Sequence, residues 1–383
     1  PNSKPKLRNA EKDRRATCAF ADEIALAALA EWRLRRPADF EPRQTVLAAF
    51  LALRLGELFV VSLGVGTKFR GAEADTSAQS LRDLHAEVLA RRALKRFLHQ
   101  DLCRCLGGAH GELLSRVASD RFALREDTSL HLYTTSVPCG NAAWKRWAKG
   151  GSTCPKLDAD TKTEWPKQLH PKIHLHARHE GQASFLAKAA VSVPDAETPA
   201  GTEFLQAWGS AKQGPLTCSD KIATWAAMGL AGNALSAVLE PVRLSTCTIG
   251  RKFSWPHAAR ALCCRLQNFT PELLKELPRG YGLQHLDLLG CSVKFDDGIY
   301  EDGSGADFSD PRCLAWTRGD EAPEILDGRT GRLVGGEPST LSSANLTELS
   351  RLWKPQLPEA TMRERQDAHA EAKQLLRGYV DER

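Results

Sequence analysis

The stretch LHAEVLARRALKRFL, residues 84–98, decides the architecture. Val88, Leu89, Leu94 and Leu98 recur at helical spacing, so a helix is expected from Leu84 to His99 with one covered face. His85 and Glu87 stand in its first turn. There the unpaired backbone N–H groups and the positive end of the helix dipole suit a site that holds hydroxide. Two positions apart, the side chains point different ways: His85 can ligate a metal while Glu87 stays off it to shuttle protons. His-x-Glu alone is a common pair, so the weight falls on what surrounds it.

Working outward, FADEIALAALAEWRLRR (residues 20–36) has Ile24, Leu26, Leu29 and Trp32 near one helical face, and Pro37 ends it. Two apolar runs, Val46–Leu53 and Leu58–Leu63, predict buried strands, with Gly64, Gly66 and Gly71 punctuating a loop after them. Leu130–Thr135 is a further strand, ending at Pro138-Cys139-Gly140. A helix from Asp220 to Met228, a strand near Val242–Ile249 and a helix from Pro256 to Gln267 follow. Two carboxy-terminal helices are expected near Leu341–Trp353 and Glu359–Val380. Alternating strands and helices indicate an α/β layered sheet. Residues 1–19 read as a basic tail and 20–383 as one domain. That domain holds a low-order insertion at about 150–213, rich in Pro, Gly, Ala, Ser and charge. A second loose stretch spans Asp296–Asp310.

The 383 residues carry a net charge of +5, which permits a polyanionic partner without requiring one. Eleven cysteines are too few for a disulfide scaffold, and the odd count argues against full pairing. Reduced thiols imply cytoplasm or nucleus. No apolar run approaches the ~20 residues that span a bilayer, and Pro1–Thr17 lacks the apolar core of a signal peptide. No membrane association and no obligate protein partner are expected.

Cys139 lies at a strand-to-helix switch, where the dipole favours thiolate. His-x-Glu with Pro-Cys is the signature of zinc deaminases, in which one His and two Cys hold the metal and a non-ligand Glu is the acid/base. The usual second Cys three residues on is absent. A tetrahedral catalytic site still needs a third protein ligand. Cys218 is the best candidate, just before a helix that Ser219 or Asp220 could cap. Cys263 and Cys264 sit in mid-helix, Cys103 and Cys105 near a helix end and Cys154 in the insertion; most read as small buried hydrophobes. His174, His176 and His179 form a second histidine cluster without nearby Cys.

Together, LHAEVLARRALKRFL, HLYTTSVPCGNAA (131–143) and GPLTCSDKIATW (214–225) resemble the three catalytic blocks of the RNA adenosine deaminases. VSLGVGTKF (61–69), EPVRLSTCTIG (240–250) and WPHAARALCCRL (255–266) extend the resemblance, which covers roughly Phe20 to Tyr379. The family comprises tRNA-specific deaminases and double-stranded-RNA editing enzymes. Carrying the second Cys on a separate block is particular to it among zinc deaminases.

The resemblance implies a cytidine-deaminase-like layered α-β-α core with a central mixed sheet, extended by insertions and C-terminal helices. It implies zinc on His85, Cys139 and Cys218, and catalysis by Glu87 at C6 of a flipped adenine. It places Thr67 and Lys68 at the substrate nucleotide and its phosphate. It further implies a buried inositol hexakisphosphate held by Arg91, Arg92, Lys221, Trp225, Arg363 and Lys373, with Asp83 and Lys221 relaying to the metal site. Two adjacent Arg on a buried helix need a polyanion to neutralise them. Three departures stand out: Thr224 replaces the usual Arg, Asn141 the usual Asp, and Ala226-Ala227 the usual Asn-Val. Arg383 also falls before the last ligand segment of the editing enzymes. The expected substrate is adenosine 37 of alanine tRNA, since no double-stranded-RNA-binding module is read in the chain. The alternative is the deaminase domain of a double-stranded-RNA editing enzyme. A silent RNA-binding relative would be expected to lack Glu87, and a free-nucleoside deaminase fits poorly with the split cysteines.

Overall fold

The computed structural model describes residues 4–40, 45–70, 77–143, 217–263, 275–282, 285–295 and 311–381. Strand β1 (Leu47–Arg54) shows how its layers arise. Side chains alternate across a strand. Leu47, Ala49 and Leu51 join one buried cluster with Ile24, Ala28, Leu29 and Trp32 of helix α1 (Lys4–Arg35). Ala48, Phe50 and Ala52 join another with Ala90, Leu94 and Phe97 of helix α2 (Ala86–Leu106). A strand apolar on both faces belongs inside a covered sheet, which explains the unbroken apolar run.

β1 lies between β2 (Glu57–Val65) and β7 (Thr128–Ser136), antiparallel to both. β7 continues in parallel to β8 (Thr246–Arg251) and β9 (Asp287–Gly290). On the other side β10 (Arg312–Thr317), β11 (Glu324–Asp327) and β12 (Arg332–Leu333) complete eight strands in the order β12-β11-β10-β2-β1-β7-β8-β9. Two small ribbons stand apart, β3 (Thr67–Phe69) with β4 (Asp83–His85), and β5 (Leu114–Ala118) with β6 (Arg121–Leu124). Helices α3 (Cys218–Met228) and α5 (Trp255–Leu262) share the α2 face, followed in sequence by α6 (Ser343–Trp353) and α7 (Glu359–Asp381). A short helix α4 (Gly232–Ser236) joins this side. The mixed α/β layering agrees with the sequence.

Several boundaries differ. Helix α1 begins at Lys4, so it runs through most of residues 1–19, read as a tail. Lys, Arg, Glu, Leu and Ala dominate that stretch and all favour helix. Gly64 is not a loop residue but lies inside β2. A side chain there would place Cβ 2.6 Å from the backbone N of Ala90 and 2.8 Å from Cβ of Leu89, so glycine lets α2 press onto the sheet. β8 starts at Thr246 rather than Val242; α5 ends at Leu262, and residues 264–267 of the expected helix lie outside the described residues. The expected insertion at 150–213, with the His174, His176 and His179 cluster, and the stretch 296–310 lie outside the described residues. Among the described residues no cysteine forms a disulfide, and no helix is long and apolar enough to cross a membrane.

Candidate active site

His85 ends β4 and is the N-cap of α2, with extended backbone (φ −64°, ψ 144°). Its Nδ1 meets Asp83 Oδ1 at 2.7 Å, and its backbone N–H donates to the same oxygen at 3.0 Å. A carboxylate on Nδ1 fixes the ring and assigns metal binding to Nε2. The other Asp83 oxygen accepts from Nζ of Lys221, on α3. Burial opposes ionisation of Asp83, but Lys221 and His85 hold its carboxyl far below the usual range. Burial likewise lowers His85, yet Asp83 and Cys139 outweigh it and raise the imidazole to about 9.

The two cysteines meet through α3. Thr217 caps that helix: its side chain accepts from Asp220 N–H, and Asp220 Oδ2 accepts from Thr217 N–H at 2.9 Å. This is a capping box. The cap is therefore Thr217, with Asp220 as its reciprocal partner, rather than Ser219 or Asp220. Ser219 is freed to bind the other block, donating from its backbone N–H (3.0 Å) and hydroxyl (2.7 Å) to the Cys139 carbonyl. The Ala142 N–H in turn donates to Ser219 Oγ at 3.1 Å. The Cys218 N–H donates to Cys139 Sγ at 3.3 Å, and Cys218 Sγ donates to Glu87 Oε2 at 3.3 Å. Gly140 is needed beside this junction. Its φ is +94°, and a Cβ would lie 2.5 Å from Cβ of Thr217.

Glu87 is buried, and burial together with the Cys139 sulfur raises its carboxyl above the ordinary value. The Cys218 thiol is raised further, by its hydrogen bond with Cys139, then by burial and by the neighbouring negative groups. One imidazole and two sulfurs, with a carboxylate beside them, are the donor types of a catalytic zinc that keeps a position open. Cys218 adjoins both Cys139 and Glu87, while His85 is held by Asp83. Among the described residues no three His, Cys, Asp or Glu side chains already close on one point. By donor chemistry the residues fit zinc.

Behind the site lies a cationic pocket. Arg91 donates from Nε to the Leu230 carbonyl (3.0 Å), and its guanidinium lies 4.9 Å from the Trp225 ring centroid. Arg92 donates to the Leu341 carbonyl (2.8 Å) and to Ser343 Oγ (3.2 Å). Lys95, not singled out by sequence, follows Arg91 by one turn. Its ammonium is pushed down to about 7 by burial and then by Arg91, Arg92 and Lys373. Burial and Arg92 bring Arg91 down to about 9. Lys373 of α7 is exposed at the pocket's edge and acts on both Lys95 and His369. The spacing i, i+4 from Arg91 was the available signal for Lys95.

Arg363 falls elsewhere, and the two expected substrate contacts divide between the faces of the β3–β4 ribbon. Arg363 is exposed and pairs with Glu359 one turn earlier at 3.1 Å, so it stands apart from the pocket. The cause is the face of α7 it occupies. Thr67 pairs with His85 across the ribbon and shares its face, whereas Lys68 pairs with Leu84 on the opposite face, its stem against Gly328. Thr224 turns its hydroxyl back to the Asp220 carbonyl at 2.8 Å.

The adenosine-deaminase (editase) domain family matches residues 62–382. The chain is 27% identical over 360 residues to the double-stranded RNA-specific adenosine deaminase of Rattus norvegicus, covering 89% of this chain and 28% of that protein. It is 26% identical over 312 residues to the double-stranded RNA-specific editase Adar of Drosophila melanogaster, covering 78% and 42%. It is 24% identical over 480 aligned positions to tRNA-specific adenosine deaminase 1 of Homo sapiens, covering 94% and 95%. The chain therefore spans less than half the length of the first two relatives and nearly all of the third.

Proposed function

The chain belongs to the adenosine-deaminase (editase) family, and from that premise we propose that it hydrolyses adenosine in RNA to inosine and ammonia, with Glu87 carrying the protons. The observation that carries this reading is the meeting of Glu87, at the start of α2, with Cys218, at the start of α3, at 3.3 Å. His85, Cys139 and Cys218 would hold zinc. When bound, zinc supplies a Lewis acid that lowers the pKa of water from 15.7 to around 7. Burial and then the Cys139 sulfur raise Glu87 above the ordinary carboxylate value, the direction a proton shuttle needs. It takes a proton from the attacking water, delivers one to adenine N1 and passes one to the departing ammonia. Asp83 keeps His85 in one orientation throughout. Thr67, beside His85, is the substrate contact this reading keeps.

The substrate we propose is tRNA, at adenosine 37 of alanine tRNA. Support comes from the tRNA-specific human relative, which aligns with this chain across nearly its whole length. A second reading, editing of double-stranded RNA, is favoured by the 27% identity to the rat enzyme. Incubation with alanine tRNA and with a long perfect duplex separates the two. Inosine at position 37 of the tRNA is expected; inosine in the duplex alone would overturn the first reading. Glu87→Ala is expected to abolish turnover at unchanged zinc content, and retained turnover would sink the mechanism.

The cationic pocket is proposed to hold inositol hexakisphosphate on Arg91, Arg92, Lys221, Trp225 and Lys373, without Arg363. A compact polyanion would neutralise charges that burial makes costly. Phosphate analysis of the denatured protein tests it.

A further inference from the structure

Helix α2 carries Arg91, Lys95 and His99 at successive turns, so the three share one stripe. A methyl group on Gly232 of α4 would lie 3.5 Å from both Cε and Nζ of Lys95 and 3.6 Å from Nη2 of Arg91. Two cations thus press into one corner. Among the described residues no hydrogen-bond acceptor or carboxylate pairs with the Lys95 ammonium, and its charged neighbours Arg91, Arg92 and Lys373 are all positive.

His99, one turn on, makes the same demand independently. Trp353 of α6 donates its indole N–H to His99 Nδ1 at 2.9 Å, with the rings stacked 5.9 Å apart. An imidazole accepting at Nδ1 carries its hydrogen on Nε2. That Nε2 is fully buried and finds no acceptor among the described residues. Native proteins rarely leave a buried donor and a half-buried cation side by side without acceptors.

We propose that Lys95 is a further ligand of the buried polyanion, extending the phosphate-binding stripe of α2 one turn beyond Arg91 and Arg92. This rests on the polyanion reading above. A phosphate oxygen near Gly232 would accept from Lys95 and Arg91 together and neutralise their charge, which a neutral or cationic ligand could not do. Lys95 then supplies a cation within this pocket, whereas Thr224 of α3 supplies none, its hydroxyl being turned to the Asp220 carbonyl.

The test uses the purified full chain and reads phosphate release and thermal midpoint rather than turnover. If Lys95 binds phosphate, Lys95→Met should lose phosphate in a salt wash roughly tenfold faster, as expected for one charge-assisted hydrogen bond, and melt at a lower temperature. If Lys95 is merely an unpaired, half-buried cation, the same change removes a cost, so the midpoint rises and phosphate retention stays as in the wild type. That result overturns the proposal. Lys95→Gln, which keeps a polar end without the charge, is the second variant and should also release phosphate faster; retention at the wild-type level in both overturns the assignment. Wild-type protein that releases no phosphate on denaturation would instead overturn the polyanion reading itself.

Discussion

Asp83 serves two masters with one carboxylate: Oδ1 takes His85 and Oδ2 takes Lys221. The hydrogen bond to His85 orients a ring for chemistry, and the pair with Lys221 ties that ring to α3. Burial lowers the affinity of Lys221 for its proton, but Asp83, Cys218 and Cys139 more than offset this and raise its pKa. Breaking a buried pair costs about 3–5 kcal/mol when one charge is left alone, and removal of Lys221 falls at the lower end because His85 stays on Asp83. Lys221→Ala is therefore expected to lower unfolding stability by roughly 3 kcal/mol while changing RNA affinity little. Denaturant titration beside an RNA-binding titration measures both, and a loss confined to RNA affinity would refute this account of Lys221.

Helices α2 and α3 start at the site, and their first turns are set by contacts that differ in how readable they are. The apolar period of α2 and the helix-start positions of His85 and Cys218 were legible, because periodicity and end effects are local, whereas Cys139 precedes only a 3-10 turn, Asn141–Ala143. Gly64 was not: a glycine in sequence reads as a turn, and only the close approach of Ala90 reveals why it sits in a strand. Lys95 was hidden for a similar reason. On a helix rich in Arg and Lys it resembles a solvated face until α4 covers it. Arg363 failed the other way, since a family match does not say which face of α7 meets the pocket. Gly64→Ala is expected to push the first turns of α2 off β2, costing about 1–3 kcal/mol and most of the turnover. Gly107→Ala, whose Cβ would have its nearest neighbour at 3.4 Å, is the matched control and should leave turnover unchanged. Thermal melts and deamination rates of the pair decide the point.

Acid sensitivity belongs to the folded chain as one cooperative unit, and His131 gives it a sign. It bridges β7 and β8, with Ser129 Oγ at 2.9 Å and Thr246 Oγ1 at 3.0 Å, and burial lowers its pKa to about 4. The unfolded chain then binds the extra proton first. The stability His131 lends is complete above about pH 6.5 and is lost as pH falls toward 4. Between pH 7 and pH 5 this amounts to about 2 kcal/mol. His131→Asn should flatten that part of the urea-midpoint profile, and an unchanged slope would refute the assignment. One more consequence follows from the junction of the two cysteine blocks. Cys139 and Cys218 stand 79 positions apart in sequence, yet Ser219 fastens the second block to Cys139 and Ala142 of the first. Both sulfurs are therefore held in register by bonds made within three residues of each, so a change at Ser219 would be felt by Cys139 and Cys218 at once.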